Sequence, residues 1–113
     1  MKVLTQTLLD AVIANGDGSS SQPEGPEVKS AKRSFHAYGA TSAGAGAADV
    51  AVQGSHDGTN WVTIDTMSLV LGTTTVHDFY TTEFPWKYVR GSVSNLTGTD
   101  ATVNLKMGLE GIQ

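Results

Sequence analysis

The chain has 113 residues, no cysteine, and 7 Lys or Arg against 11 Asp or Glu, for a formal charge of −4. This length suits a single domain that can bury a core without metal or disulfide staples. The absence of cysteine excludes disulfides, Cys-ligated zinc and thiol catalysis, and leaves the compartment open. The acidic balance speaks against a phosphate-binding surface, so no nucleic-acid partner is expected. Only 16% of residues are charged, and the abundance of Gly, Ala, Ser and Thr fits a β protein with small-residue turns.

Residues 4–13 (LTQTLLDAVI) read as a first strand running into the turn-forming Asn15-Gly16-Asp17-Gly18. Thr5, Gln6, Thr7 and Asp10 interrupt the apolar stretch, which disfavours a signal peptide. No apolar run is long enough to span a membrane as a helix, and no membrane partner is expected. Residues 16–26 (GDGSSSQPEGP) lack periodicity and read as a loop or flexible arm. A mixed-charge cluster (Glu24, Glu27, Lys29, Lys32, Arg33) reads as a solvated edge.

Beyond it, strands are expected at 33–40, 48–55, 61–65, near 67–71, at 74–80, 85–94 and 101–109, with loops at 41–47 and 95–100. In the last strand Ala101, Val103, Leu105, Met107 and Leu109 alternate with Thr102, Asn104, Lys106 and Gly108, so one face is buried and the other wet. The segments 33–55 and 85–108 both run aromatic-rich strand, small-residue turn, alternating strand, and read as two hairpins. Seven to eight strands with almost no helix signal predict an all-β antiparallel β-sandwich or jelly roll. Residues 31–113 form the sandwich in this reading, and 1–30 an N-terminal strand and flexible arm. Trp61, Val89, Val103, Leu105 and Met107 are assigned to the core.

The stretch VQGSHDGTNWVTID (52–65) places Ser55, His56 and Asp57 side by side. Consecutive residues on an extended chain point to alternating faces, so they cannot converge as a catalytic triad. Asp57–Gly58 is instead a hairpin turn signal, with Gly58 suited to positive φ. GAGAAD (44–49) lacks the following helix and the third glycine of a dinucleotide fingerprint. His36, His56 and His77 are the only histidines; three from neighbouring strands could bind zinc, but half-exposed strand histidines are the simpler reading. No catalytic residue, cofactor or metal is therefore assigned. Asn95-Leu96-Thr97 matches a glycosylation sequon, relevant only in a eukaryotic secretory context. Phe35, Tyr38, Trp61, Trp86 and Tyr88 could form a sugar-stacking platform, although a short sandwich needs aromatics for its core. Arg90 shares a strand face with Trp86 and Tyr88, where it could stack on a ring or, as a second choice, meet another subunit.

S-x-DG-x-NW (55–61) and KYVR-x-x-V (87–93) resemble the second half of discoidin-like, galactose-binding jelly rolls. With GATSAGAGAADVAVQGS and LTGTDATVNLKMG added, residues 33–109 resemble small β-sandwich structural proteins of tailed bacteriophages. The chain is shorter than a discoidin domain and lacks its cysteines, so no sugar-binding residue is carried over. The phage resemblance implies a virion structural protein, a capsid decoration (cement) or minor head or tail component assembled in the host cytoplasm. Its implied partners are the major capsid or another virion protein and further copies of itself, with Leu8, Val12, Ile13 and Arg90 as candidate subunit contacts. The alternative is a carbohydrate-binding module on a tail or secreted protein, with a surface glycan as ligand.

Overall fold

A computed structural model describes residues 2–18, 28–82 and 86–111. Eight strands, β1 (Lys2–Val12), β2 (Gly16–Asp17), β3 (Val28–Ala40), β4 (Ala43–Ser55), β5 (Val62–Leu71), β6 (Val76–Thr82), β7 (Tyr88–Thr99) and β8 (Thr102–Gly111), form two four-stranded sheets. The first has the order β1-β8-β3-β6 and the second β2-β7-β4-β5. Every pairing is antiparallel. The protein is an all-β sandwich of the jelly-roll kind.

The alternation seen in the sequence sets the inner faces. Phe35 and Ala37 on β3, Val103, Leu105, Met107 and Leu109 on β8, Val50 and Val52 on β4, Met67, Leu69 and Leu71 on β5, and Val89 and Val93 on β7 are all buried. They meet across the two sheets as a single core, the non-directional burial that holds such a sandwich together.

The two expected hairpins are not hairpins. β3 and β4 lie in different sheets, as do β7 and β8, and the pairs that form are β3 with β8 and β4 with β7. Each short connection is an arch across the core. Consecutive strands here turn their apolar sides towards each other, which requires opposing sheets rather than neighbouring places in one sheet. The expected 41–47 loop also shrinks: β4 starts at Ala43, and only Thr41 and Ser42 separate it from β3. Among the described residues, only the β4–β5 link joins strands that are neighbours in both sequence and sheet.

The N-terminal segment departs furthest from the arm reading. β1 pairs along β8 from Lys2↔Gly111 to Val12↔Val103, and β2 pairs with β7. Register irregularities between Thr7 and Leu9 and between Leu9 and Val12, with Ala11 at φ 47°, break the period of two. Consecutive Leu8 and Leu9 can then both enter the core, at 4% and 3% exposure. Asn104 secures the irregular stretch by accepting the Ala11 N–H at 2.8 Å. Leu8 is thus a core residue of its own sandwich rather than a subunit contact. Residues 19–26 of the expected spacer lie outside the described residues.

Arg33, assigned to a solvated edge, is buried at 5% exposure on β3, where desolvation lowers its pKa. The other members of that charge cluster are not among the described side chains.

Candidate functional site

The loop 56–61 between β4 and β5 is longer than a two-residue hairpin turn and is organised by one carboxylate. Asp57 accepts the backbone N–H groups of Thr59 and Asn60, each at 2.8 Å, the Asn60 amide at 2.7 Å and the Ser55 hydroxyl at 3.0 Å. Led by the Asn60 and Thr59 backbone donors, these bonds hold its carboxyl well below the usual carboxylate range. Ser55 Oγ in turn accepts the N–H of Gly58 at 3.0 Å, and Gly58 has φ 77°. His56 faces elsewhere, stacked on Trp86 with ring centroids 4.9 Å apart. Ser55, His56 and Asp57 therefore build a turn, and the geometry of a Ser–His–Asp triad is absent from it.

Beside this loop, Trp61 and Arg90 form a platform on the outer face of the second sheet. The Arg90 guanidinium lies 4.3 Å from the centroid of the Trp61 ring. Its Nε donates to Gln53 Oε1 at 2.7 Å, and its terminal nitrogen meets Asp17 at 3.4 Å. Ser92 donates to the other Asp17 oxygen at 2.7 Å. Trp61 is thus half-buried outside the core, a correction to its assignment, because the residue it packs on faces outward. Arg90 is held within its own chain, on Trp61 rather than Trp86. Trp86 instead covers Gly54, where a Cβ would collide with the indole.

The remaining platform aromatics are dispersed. Phe35 is fully buried and stacks on Tyr80 at 6.4 Å, while Tyr38 is on the outer face of the first sheet beside His36 and His77. The three histidines do not converge, since His56 is on the β4–β5 loop. Among the described residues, no cluster of three His, Cys, Asp or Glu is placed to hold a metal ion. The sequon residue Asn95 adopts φ 54° and donates its amide to Asp49 at 2.7 Å. That bond and one from Ser68, in this order, lower the Asp49 pKa.

Of the other candidate contacts, Val12 packs partly against the core and Ile13 is 76% exposed. Ile13 borders an open hollow of about 390 Å³, also lined by Leu96, Gly98, Asp100, Ala101 and Thr102. The sequence did not single out Val70 and Phe79, each 77% exposed. Both are on edge strands, β5 and β6. Their signal was parity: Val70 falls between buried Leu69 and Leu71, and Phe79 pairs with outward-facing His36.

Two sheets, a hydrogen-bonded β4–β5 loop and an external Trp–Arg platform define a small jelly-roll β-sandwich. No protein-family model matches the sequence, and no curated protein is significantly similar to it. Among solved structures, the chain is similar to the PBSX exported protein XepA, with a TM-score of 0.59 and 11% identity over 97% of this chain. It spans only 38% of that protein's length. It is also similar to the C-terminal family 22 carbohydrate-binding module of Clostridium thermocellum Xyn10B, with a TM-score of 0.51 and 15% identity, covering 96% of this chain and 80% of the module. At such identities the likeness is one of fold.

Proposed function

We propose that the chain is a structural component of a bacteriophage particle, a decoration or minor head protein that acts through contacts with other particle proteins. The observation that carries this reading is the flank formed by β5 and β6. Among the described residues each strand ends its sheet, and Val70 and Phe79 stand 77% exposed on them. Unpaired edge strands are templates for strand addition, and isolated domains normally blunt them with charge, Pro or a covering segment. The occupant that fits is a strand of a neighbouring particle protein that adds to one of these edges, its outward apolar side chains packing on Val70 where it pairs with β5 or on Phe79 where it pairs with β6. The resemblance of residues 33–109 to small phage β-sandwich proteins supports the same reading.

The test is to complement a phage lacking this gene with the wild-type chain or Val70→Lys/Phe79→Lys. The reading expects wild-type protein in gradient-purified particles, and a folded double variant left in the soluble fraction. Equal incorporation of both, or incorporation of neither, would overturn it. The second reading, a glycan-binding module, is favoured by the half-exposed Trp61 over Arg90, since aromatic faces stack on sugars. Glycan-array binding lost in Trp61→Ala would select it.

A further inference from the structure

Among the described residues the sandwich has β1 and β6 at the edges of its first sheet, and β2 and β5 at those of its second. All but one of these edges are blunted against strand addition. β1 carries register irregularities and has Ala11 at φ 47°. β2 is two residues long. On β6 the Asp78 carboxylate accepts the Phe79 N–H at 2.8 Å, which puts a charge against the backbone of that edge. β5 is different. Its register against β4 shifts between Thr63 and Asp65, then runs residue by residue from Asp65 to Leu71. Beyond Asp65 this stretch has no charged side chain and no Pro. Its outward-facing Thr66, Ser68 and Val70 are all exposed.

We propose that β5 pairs antiparallel with β5 of a second copy of the chain, about a two-fold axis at Ser68, so that the two second sheets become continuous. Self-pairing rests on the particle reading, since it names the neighbour which that reading requires. A two-fold contact must be self-complementary, and this one is. Ser68 is the midpoint of the regular segment Asp65–Leu71, so the register uses all of it. Ser68 meets Ser68 of the second copy, Met67 meets Leu69, Thr66 meets Val70 and Asp65 meets Leu71. Each exposed Val70 then packs beside a β-branched threonine, a favourable cross-strand neighbour. On the inner side the buried Met67, Leu69 and Leu71 extend one core towards the other.

Like charges stay apart in this register. The two Asp65 residues lie about 20 Å from each other along the strands. Asp49, which accepts the Ser68 hydroxyl at 2.9 Å, is on β4, one strand further in. The two Asp49 residues are therefore about 14 Å apart, well beyond the screening length of about 8 Å at physiological salt. A neutral, self-matching edge suits a copy of itself, whereas a charged partner strand would find nothing on β5 to complement past Asp65.

The absence of cysteine from the chain makes the register testable by single substitutions. In the proposed pairing the Ser68 Cα atoms are about 5 Å apart, within reach of a disulfide, and the Val70 Cα atoms about 14 Å apart. On mild oxidation Ser68→Cys should crosslink into a dimer about tenfold faster, or more, than Val70→Cys or the β6 variant Thr81→Cys. Sedimentation velocity of the wild-type chain across the micromolar range should show a concentration-dependent dimer. Val70→Lys should weaken that dimer by about tenfold or more, and Phe79→Lys should leave it unchanged. Circular dichroism confirms that each variant is folded. A wild-type chain that stays monomeric, a dimer of wild-type strength in Val70→Lys, or equal crosslinking at positions 68 and 70 would overturn the pairing. A monomer that still enters particles in the complementation test would overturn the pairing and leave the particle reading standing. A dimer excluded from particles would support the pairing and overturn the particle reading.

Discussion

Whether β1 belongs to its own sandwich or to a neighbour is decided by Leu9 and the glycine facing it across the core. Leu9 is 3% exposed, and truncation of a buried leucine to alanine costs about 3 kcal/mol through lost burial and the cavity left behind. For a domain of this size that lowers Tm by about 12 °C. Gly91, on β7 of the opposite sheet, has no room for a side chain. A Cβ there would be 2.7 Å from Leu105 Cδ2, 2.9 Å from Leu9 Cγ and 3.0 Å from Leu9 Cδ1. Overpacking makes Gly91→Ala cost about 2 kcal/mol.

The double variant is the informative one. Removing the Leu9 side chain eliminates two of those three close approaches, and the added methyl occupies part of the space vacated. The clash with Leu105 remains, so the pair should cost about 4 kcal/mol rather than the additive 5, a coupling of about 1 kcal/mol. Urea denaturation of the wild type, both single variants and the double variant measures this directly. Additivity within about 0.5 kcal/mol would refute the contact between β1 and β7 across the core. A Leu9→Ala cost below about 1 kcal/mol, with loss of assembly, would return β1 to a neighbouring subunit.

The turn and the platform give further tests. Asp57 has a carboxyl pKa depressed in the fold, so the stability it contributes is present above its unfolded value, about pH 4, and is lost as pH falls towards the folded one. Asp57→Ala should flatten the acid limb of the Tm–pH profile, and an unchanged slope there would count against the turn's hydrogen bonding. A Trp61→Ala and Arg90→Ala cycle should show a coupling of about 0.5–1 kcal/mol, which Arg90→Lys should not preserve, because an ammonium lacks the planar face. Leu105→Asp should abolish cooperative folding by burying an unpaired carboxylate, whereas Lys106→Asp on the exposed face should shift Tm little. Equal effects at the two positions would disprove the β8 register.

The strands of this fold were legible because each inner face carries its own period-two signature, clearest from Val103 to Leu109. Pairing was not legible. The tight turns at 41–42 and 100–101 look alike whether the chain returns beside itself or crosses to the other sheet, since both outcomes need the same tight reversal. What decides between them is which strand supplies the hydrogen-bonding partner. For β3 that partner is β8, at the far end of the sequence. Ala43–Ala47 carries a loop-like sequence for a related reason. Small side chains leave no apolar pattern, while the backbone of that stretch still pairs with β5 and β7. In β1, adjacent Leu8 and Leu9 fit no regular strand, and the bulged register that buries both has no mark in local composition.

The site residues were separable by the same parity argument, carried one step further. On β7, Val89 and Val93 face inward, so Arg90, one residue from Val89, must face out; on β4, Val50 and Val52 place Gln53 outside in the same way. Any aromatic that stacks on Arg90 must then lie outside as well, which makes Trp61 a surface residue despite its apolar bulk. Parity also places His36 and His77 each on an outer face. It cannot bring them together, because a shift of β6 by two residues would preserve every inward and outward assignment and still separate the rings. The imidazole pair is a property of register, and register is fixed by the whole sheet, through contacts such as Phe35 on Tyr80 inside the core. A substitution that loosens that internal stack, such as Tyr80→Ala, should therefore break the His36–His77 hydrogen bond on the opposite face, read from the NMR signals of the two imidazoles, while leaving both histidines in the sequence. Unchanged imidazole signals in that variant would show that the pair is set locally by its own rings.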